Sequence, residues 1–62
     1  MALRVLVYRL LDGSFAICLE TTDQQGAVIK RRWMGYRGDE QPHYLNAPPK
    51  NRIGPIRVSL AR

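Results

Sequence analysis

The dipeptide Asp12-Gly13 stands between two apolar-rich runs, residues 4–11 and 14–20, and no other feature of the chain restricts its fold so strongly. Asp-Gly suits a tight turn because both residues tolerate positive φ. The two runs are therefore predicted to pair as an antiparallel hairpin. With Asp12-Gly13 as the whole loop, Leu11 faces Ser14, Leu10 faces Phe15, Tyr8 faces Ile17 and Leu6 faces Leu19. Alternate residues of a strand share a face, so this register collects Leu6, Tyr8, Leu10, Phe15, Ile17 and Leu19 on one apolar side. Leu3, Leu6, Val7 and Leu10 also fit a helical face, but the β-branched Val5 and Val7 and the turn that follows favour a strand.

A second turn is written into "TTDQQGA". Gly26 can take the left-handed conformation that closes a loop of Gln24, Gln25 and Gly26 with a bulge. Asp23 then faces Ala27, Thr21 faces Ile29, Glu20 faces Lys30 and Ile17 faces Trp33. Ile29 and Trp33 join the apolar side, and Glu20 gains a basic partner. A loop one residue longer would bury Lys30 and Arg32, and an unpaired buried charge costs several kcal/mol. Trp33 is thus predicted to lie in the core with Arg32 on the opposite face. Arg31 falls on the core side near the sheet's end, where its head can snorkel into water.

The C-terminal run also alternates, with Ile56, Val58 and Leu60 on one side and Arg57 and Ser59 on the other. It reads as a fourth strand, and Pro55 suits its start or an edge. Pro42, Pro48 and Pro49 forbid a long helix in the stretch before it. These elements predict a small, mostly β, single domain with little helix. It is a three-stranded antiparallel meander plus a C-terminal strand, as an open sheet or a small barrel. The strands fall at about 2–11, 14–22, 27–36 and 55–61, with a long Pro-rich loop at 37–54. The expected core is Leu6, Tyr8, Leu10, Phe15, Ile17, Leu19, Ile29, Trp33, Ile56, Val58 and Leu60.

A chain of 62 residues buries only about 60% of the surface its unfolded form exposes. Small domains are often propped by disulfides, metals or a partner. Cys18 is the single cysteine and His43 the single histidine, so neither an internal disulfide nor a four-ligand zinc site can form. Association with a second copy or with another molecule is left as support. The longest apolar run near the start, residues 5–8, is too short for a secretory signal, and no run reaches the length of a membrane span. With a free thiol, this points to a reducing compartment, the cytoplasm first or a cell nucleus.

The chain carries ten Lys and Arg against five Asp and Glu, a net charge of +5 that favours an anionic partner. On the register above, Arg9, Lys30 and Arg32 share the non-core face, and Tyr36 continues it. Arg37, Lys50 and Arg52 extend the basic set into the loop. Cations that meet phosphates beside a ring that stacks on bases describe a non-catalytic module for DNA or RNA, and that is the leading expectation. The alternative is a small accessory factor, an inhibitor or a subunit, which docks an acidic protein or a second copy. Its surface is the apolar centre of the same face, Val5, Val7, Ala16, Cys18 and Met34, inside a charged rim. Catalysis is not expected. Asp12 and Asp23 are accounted for by turns and Glu20 by pairing with Lys30, Cys18 sits mid-strand, and nothing orients His43 as its base. No cofactor motif is present, and Arg37-Gly38-Asp39 reads as a loop with a turn glycine.

Overall fold

The structure, a computed structural model, describes residues 1–59, with side chains described as far as Ile56. Its strands are β1 (Ala2–Arg9), β2 (Phe15–Thr22), β3 (Val28–Tyr36), β4 (His43–Leu45) and β5 (Ile53–Ser59). They form one antiparallel sheet in the order β4-β3-β2-β1-β5. Strands touch only their neighbours, so the sheet is open and does not close into a barrel. The mostly β fold, the meander and the C-terminal strand on an edge match the sequence reading. Leu60, assigned to the core above, lies outside the described residues.

Strand β4 lies inside the stretch 37–54 expected to be loop. It pairs His43, Tyr44 and Leu45 with Gly35, Met34 and Trp33. The missing side chain at Gly35 makes the room: a Cβ there would stand 3.1 Å from Nε2 of His43 and 3.3 Å from Cδ2 of Leu45.

The first hairpin corrects the expected register by one residue. Its loop is Leu11-Asp12-Gly13, closed by Leu10 N–H to the Ser14 carbonyl at 2.9 Å and Gly13 N–H to the Leu10 carbonyl at 3.1 Å. Gly13 takes φ +89°, as a turn followed by a glycine bulge requires. Asp12 reinforces the longer loop by accepting a 2.9 Å hydrogen bond from the Ser14 N–H. Arg9 therefore faces Phe15, Tyr8 faces Ala16, Leu6 faces Cys18 and Arg4 faces Glu20. A shift of one moves every β2 side chain to the other face.

The second turn has the expected loop. Asp23 N–H meets the Ala27 carbonyl at 2.9 Å, and Gly26 has φ +87°. Just beyond it, however, the pairing slips at a bulge between Thr21 and Thr22. Ile29 is squeezed out there and is 55% exposed, so it is not core. Past the bulge Glu20 faces Arg31, Cys18 faces Trp33 and Ile17 faces Met34. Glu20 thus pairs with arginines and not with Lys30.

Both shifts follow from one physical requirement. They align Arg4, Glu20 and Arg31 across three strands, so that a buried carboxylate sits between two guanidinium groups. They also place small residues on the middle strand between large neighbours. Tyr8 of β1 and Trp33 of β3 lean over Ala16 and Cys18, with ring centroids 5.5 Å apart. Beneath them Ala16 is 0% and Cys18 1% exposed. The core is this roofed strip, with Leu6 beside it. It holds the expected Leu6, Tyr8 and Trp33 but excludes Phe15, Ile17 and Leu19, which lie half-buried on the reverse face. Ile56 faces Val7 and so belongs to that reverse face by register, whereas the side chain of Val58, also assigned to the core above, lies outside the described side chains.

Candidate interaction face

The two faces of the sheet differ in chemistry. On the tryptophan face, among the described residues, no buried side-chain nitrogen or oxygen lacks a hydrogen-bond partner. Glu20, 4% exposed, accepts from Nε of Arg4 at 3.0 Å and Nε of Arg31 at 2.9 Å. Those bonds, the Arg4 bond first, hold its carboxyl below the usual range against the opposing effect of burial. The Arg52 guanidinium lies 4.9 Å from the Trp33 ring centroid and 5.2 Å from that of Tyr8, and donates to the Pro49 carbonyl at 3.1 Å. A cation near the faces of two adjoining rings is attracted by their quadrupoles. This pins the chain between β4 and β5 across the face.

The reverse face carries the aliphatic residues. Val5 and Val7 of β1, Phe15, Ile17 and Leu19 of β2, and Met34 of β3 all stay half-buried. Ile56 of β5 is 59% exposed. Phe15 and Tyr36 approach with centroids 6.5 Å apart, in the row that also contains Arg9. Arg32 projects here, 5.4 Å over the Tyr44 ring, and Lys30 stands one row further out. The strand positions on this face hold Arg9, Lys30 and Arg32 and no Asp or Glu. Among the described residues none of these three cations has a carboxylate partner.

The predicted site residues divide accordingly. Arg9, Lys30, Arg32 and Tyr36 share the aliphatic face as expected. Arg37 is held at the sheet's end by Asp12, 3.0 Å away, and Lys50 is exposed in the loop. Arg52 belongs to the opposite face, where Trp33 and Tyr8 occupy its charge. Of the expected apolar centre, Val5, Val7 and Met34 are in place. Ala16 and Cys18 are not: the one-residue register shift turns them under the aromatic roof, and Ile17 and Leu19 take their positions. The charge pattern carried a signal for this, because only the observed register gives Glu20 both Arg4 and Arg31.

Cys18 is a free, buried thiol. Burial above all pushes its thiol pKa up, and the nearby Glu20 charge adds to this. Among the described residues no cluster of three His, Cys, Asp or Glu side chains could hold a metal ion, and no helix is long and apolar enough to cross a membrane. Compared with family models, curated proteins and solved structures, the chain matches none of them.

Proposed function

We propose that this chain is a non-catalytic docking module that holds a protein partner on its aliphatic sheet face. The observation that carries this reading is the half-buried group Val5, Val7, Ile17, Leu19 and Met34 on a sheet without a second layer of strands or helix among the described residues. An apolar sheet face is normally buried against another element. A contiguous exposed apolar patch with a polar rim marks an interaction surface. The cations around it, which have no carboxylate partner among the described residues, favour an anionic partner.

A second reading, a module for DNA or RNA, draws on the same cations and on the Arg9, Phe15 and Tyr36 row. It ranks lower because nucleobases stack on aromatic rings, whereas the middle of this face is aliphatic. Paired variants separate the two. Val7→Ser with Ile17→Ser removes the apolar centre, and Arg9→Ala with Lys30→Ala and Arg32→Ala removes the charge. Folding of each is checked by circular dichroism. Docking predicts that the serine variant loses a stoichiometric partner that the parent retains through nuclease treatment and high salt. Loss of binding only in the alanine variant, with a steep salt dependence on a labelled oligonucleotide, would replace docking with nucleic-acid binding.

A further inference from the structure

The shape of the aliphatic face narrows the partner further, on the premise that the face is a docking site. Its side chains are concentrated on two neighbouring strands. Leu3, Val5 and Val7 run along β1, and Phe15, Ile17 and Leu19 run antiparallel along β2. From the Leu3 row to the Phe15 row is six residue steps, about 20 Å at the rise of an extended strand. The strip is about two strands wide, close to the width one helix covers at the usual layer spacing. A helix of about 14 residues has the same length.

The charges are not spread evenly round this strip. Lys30 and Arg32 flank it on the β3 side, and Arg9 closes one end in the Phe15 row. The β5 side presents Ile56. An occupant therefore meets apolar surface beneath it and cations along one flank and one end.

We propose that the occupant is an acidic amphipathic helix of about four turns, laid along β1 and β2 with carboxylates towards Lys30 and Arg32. Charge decides against a second copy of this chain. Face-to-face pairing would bring two sets of Arg9, Lys30 and Arg32 together, with no strand carboxylate on either face to offset them. It also decides against a basic helix.

The test uses two labelled 15-residue peptides with the same leucines at helical spacing, one flanked by Glu and the other by Lys, titrated with the full chain by fluorescence anisotropy. The Glu peptide is expected to bind, with affinity falling as salt rises. The Lys peptide is expected to bind about tenfold more weakly or worse, the size given by exchanging two rim ion pairs for two repulsions. Lys30→Glu combined with Arg32→Glu should reverse that preference, and Ile17→Ser should weaken both peptides. Circular dichroism confirms that each variant is folded.

Equal binding of both peptides, or a preference that survives the charge reversal, overturns the acidic helix. If the Glu peptide fails while sedimentation shows a dimer that Ile17→Ser dissolves, the helix is wrong but docking stands, with a second copy as occupant. If neither peptide nor self-association is seen and an oligonucleotide binds through Arg9, Lys30 and Arg32, both readings fall.

Discussion

Replacing Glu20 by Gln tests the bond network on which the sheet's register rests. The Glu20 side chain is 6% exposed and its carboxylate accepts from two guanidinium groups, at 3.0 and 2.9 Å. Hydrogen bonds to a charged group contribute about 1.5–3 kcal/mol each. The Arg4 and Arg31 side chains are 41% and 50% exposed, so they recover hydration when the charge is removed. A Gln amide oxygen also keeps one bond, from a charged guanidinium to a neutral acceptor. The expected loss for Glu20→Gln is thus about 1.5–3 kcal/mol in total, not the sum of two full bonds. A domain this small has only a few kcal/mol of margin.

Urea unfolding followed by Trp33 fluorescence measures that loss at pH 7. It also isolates the effect of pH. Folding lowers the carboxyl pKa, so ionised Glu20 contributes its full stability above the ordinary Glu range. That contribution fades as pH falls through the folded-state value. The parent should lose stability on acidification, and Glu20→Gln should lose less. Asp12 is also held low, chiefly by its Ser14 hydrogen bonds, and its share remains in both proteins. Glu20→Leu supplies the contrast: it removes the charge and both acceptor bonds while Arg4 and Arg31 remain, so its cost should equal or exceed that of Gln. A loss below about 0.5 kcal/mol for Glu20→Gln, or identical acid sensitivity in parent and variant, would refute the network.

The roofed strip gives a linked pair of expectations. Trp33→Ala should cost about 2–3 kcal/mol by urea unfolding, below the full-core range because the ring is half-buried. It should also speed alkylation of Cys18 in the folded protein, whereas the parent reacts only as fast as it opens. Arg32→Ala, on the other face, should change stability by less than about 0.5 kcal/mol. Gly54 has φ +127°, and a Cβ there would stand 3.3 Å from the Val7 carbonyl oxygen and from the Ile56 nitrogen. Gly54→Ala should therefore cost about 1–3 kcal/mol in the same unfolding assay. Gly13→Ala, also at positive φ but in open space, should cost about 1 kcal/mol.

Local chemistry made much of the sheet legible. The two turns, the three long strands and the returning C-terminal strand could be read from Asp-Gly, Gly26, alternation and proline placement. What misled was the assumption that large apolar residues gather on the buried side. In β2 the reverse holds. Phe15, Ile17 and Leu19 face outward because Ala16 and Cys18 leave space for Tyr8 and Trp33 to close over them. Asp12-Gly13 serves a loop of two or of three residues, so turn composition alone did not fix the register. The bulge that displaces Ile29 depends on fitting Glu20 between Arg4 and Arg31, a cross-strand match that period-two patterning does not see. β4 was hidden for a different reason. It is three residues long, and it depends on Gly35 in another strand. The cations and valines of the candidate face were legible; Ile17 and Leu19, which complete it, were not.

The pairing of β1 with β5 bears on the order in which the chain folds. Hairpins of short loop bring β1, β2 and β3 together, whereas β5 reaches β1 from the far end, with Arg4 opposite Ser59. Closing that long connection has an entropic cost which local zipping does not share. The meander is therefore expected to form first and β5 to add last. Ladder alternation turns the amides of Val5 and Val7 towards β5, so they should exchange with solvent deuterium through an opening that leaves the β1–β2 amides protected. The whole strip from Leu3 to Phe15 lies in the part that forms early. The docking proposed for that strip would therefore require the meander alone, and a chain whose β5 is still unpaired would already present it.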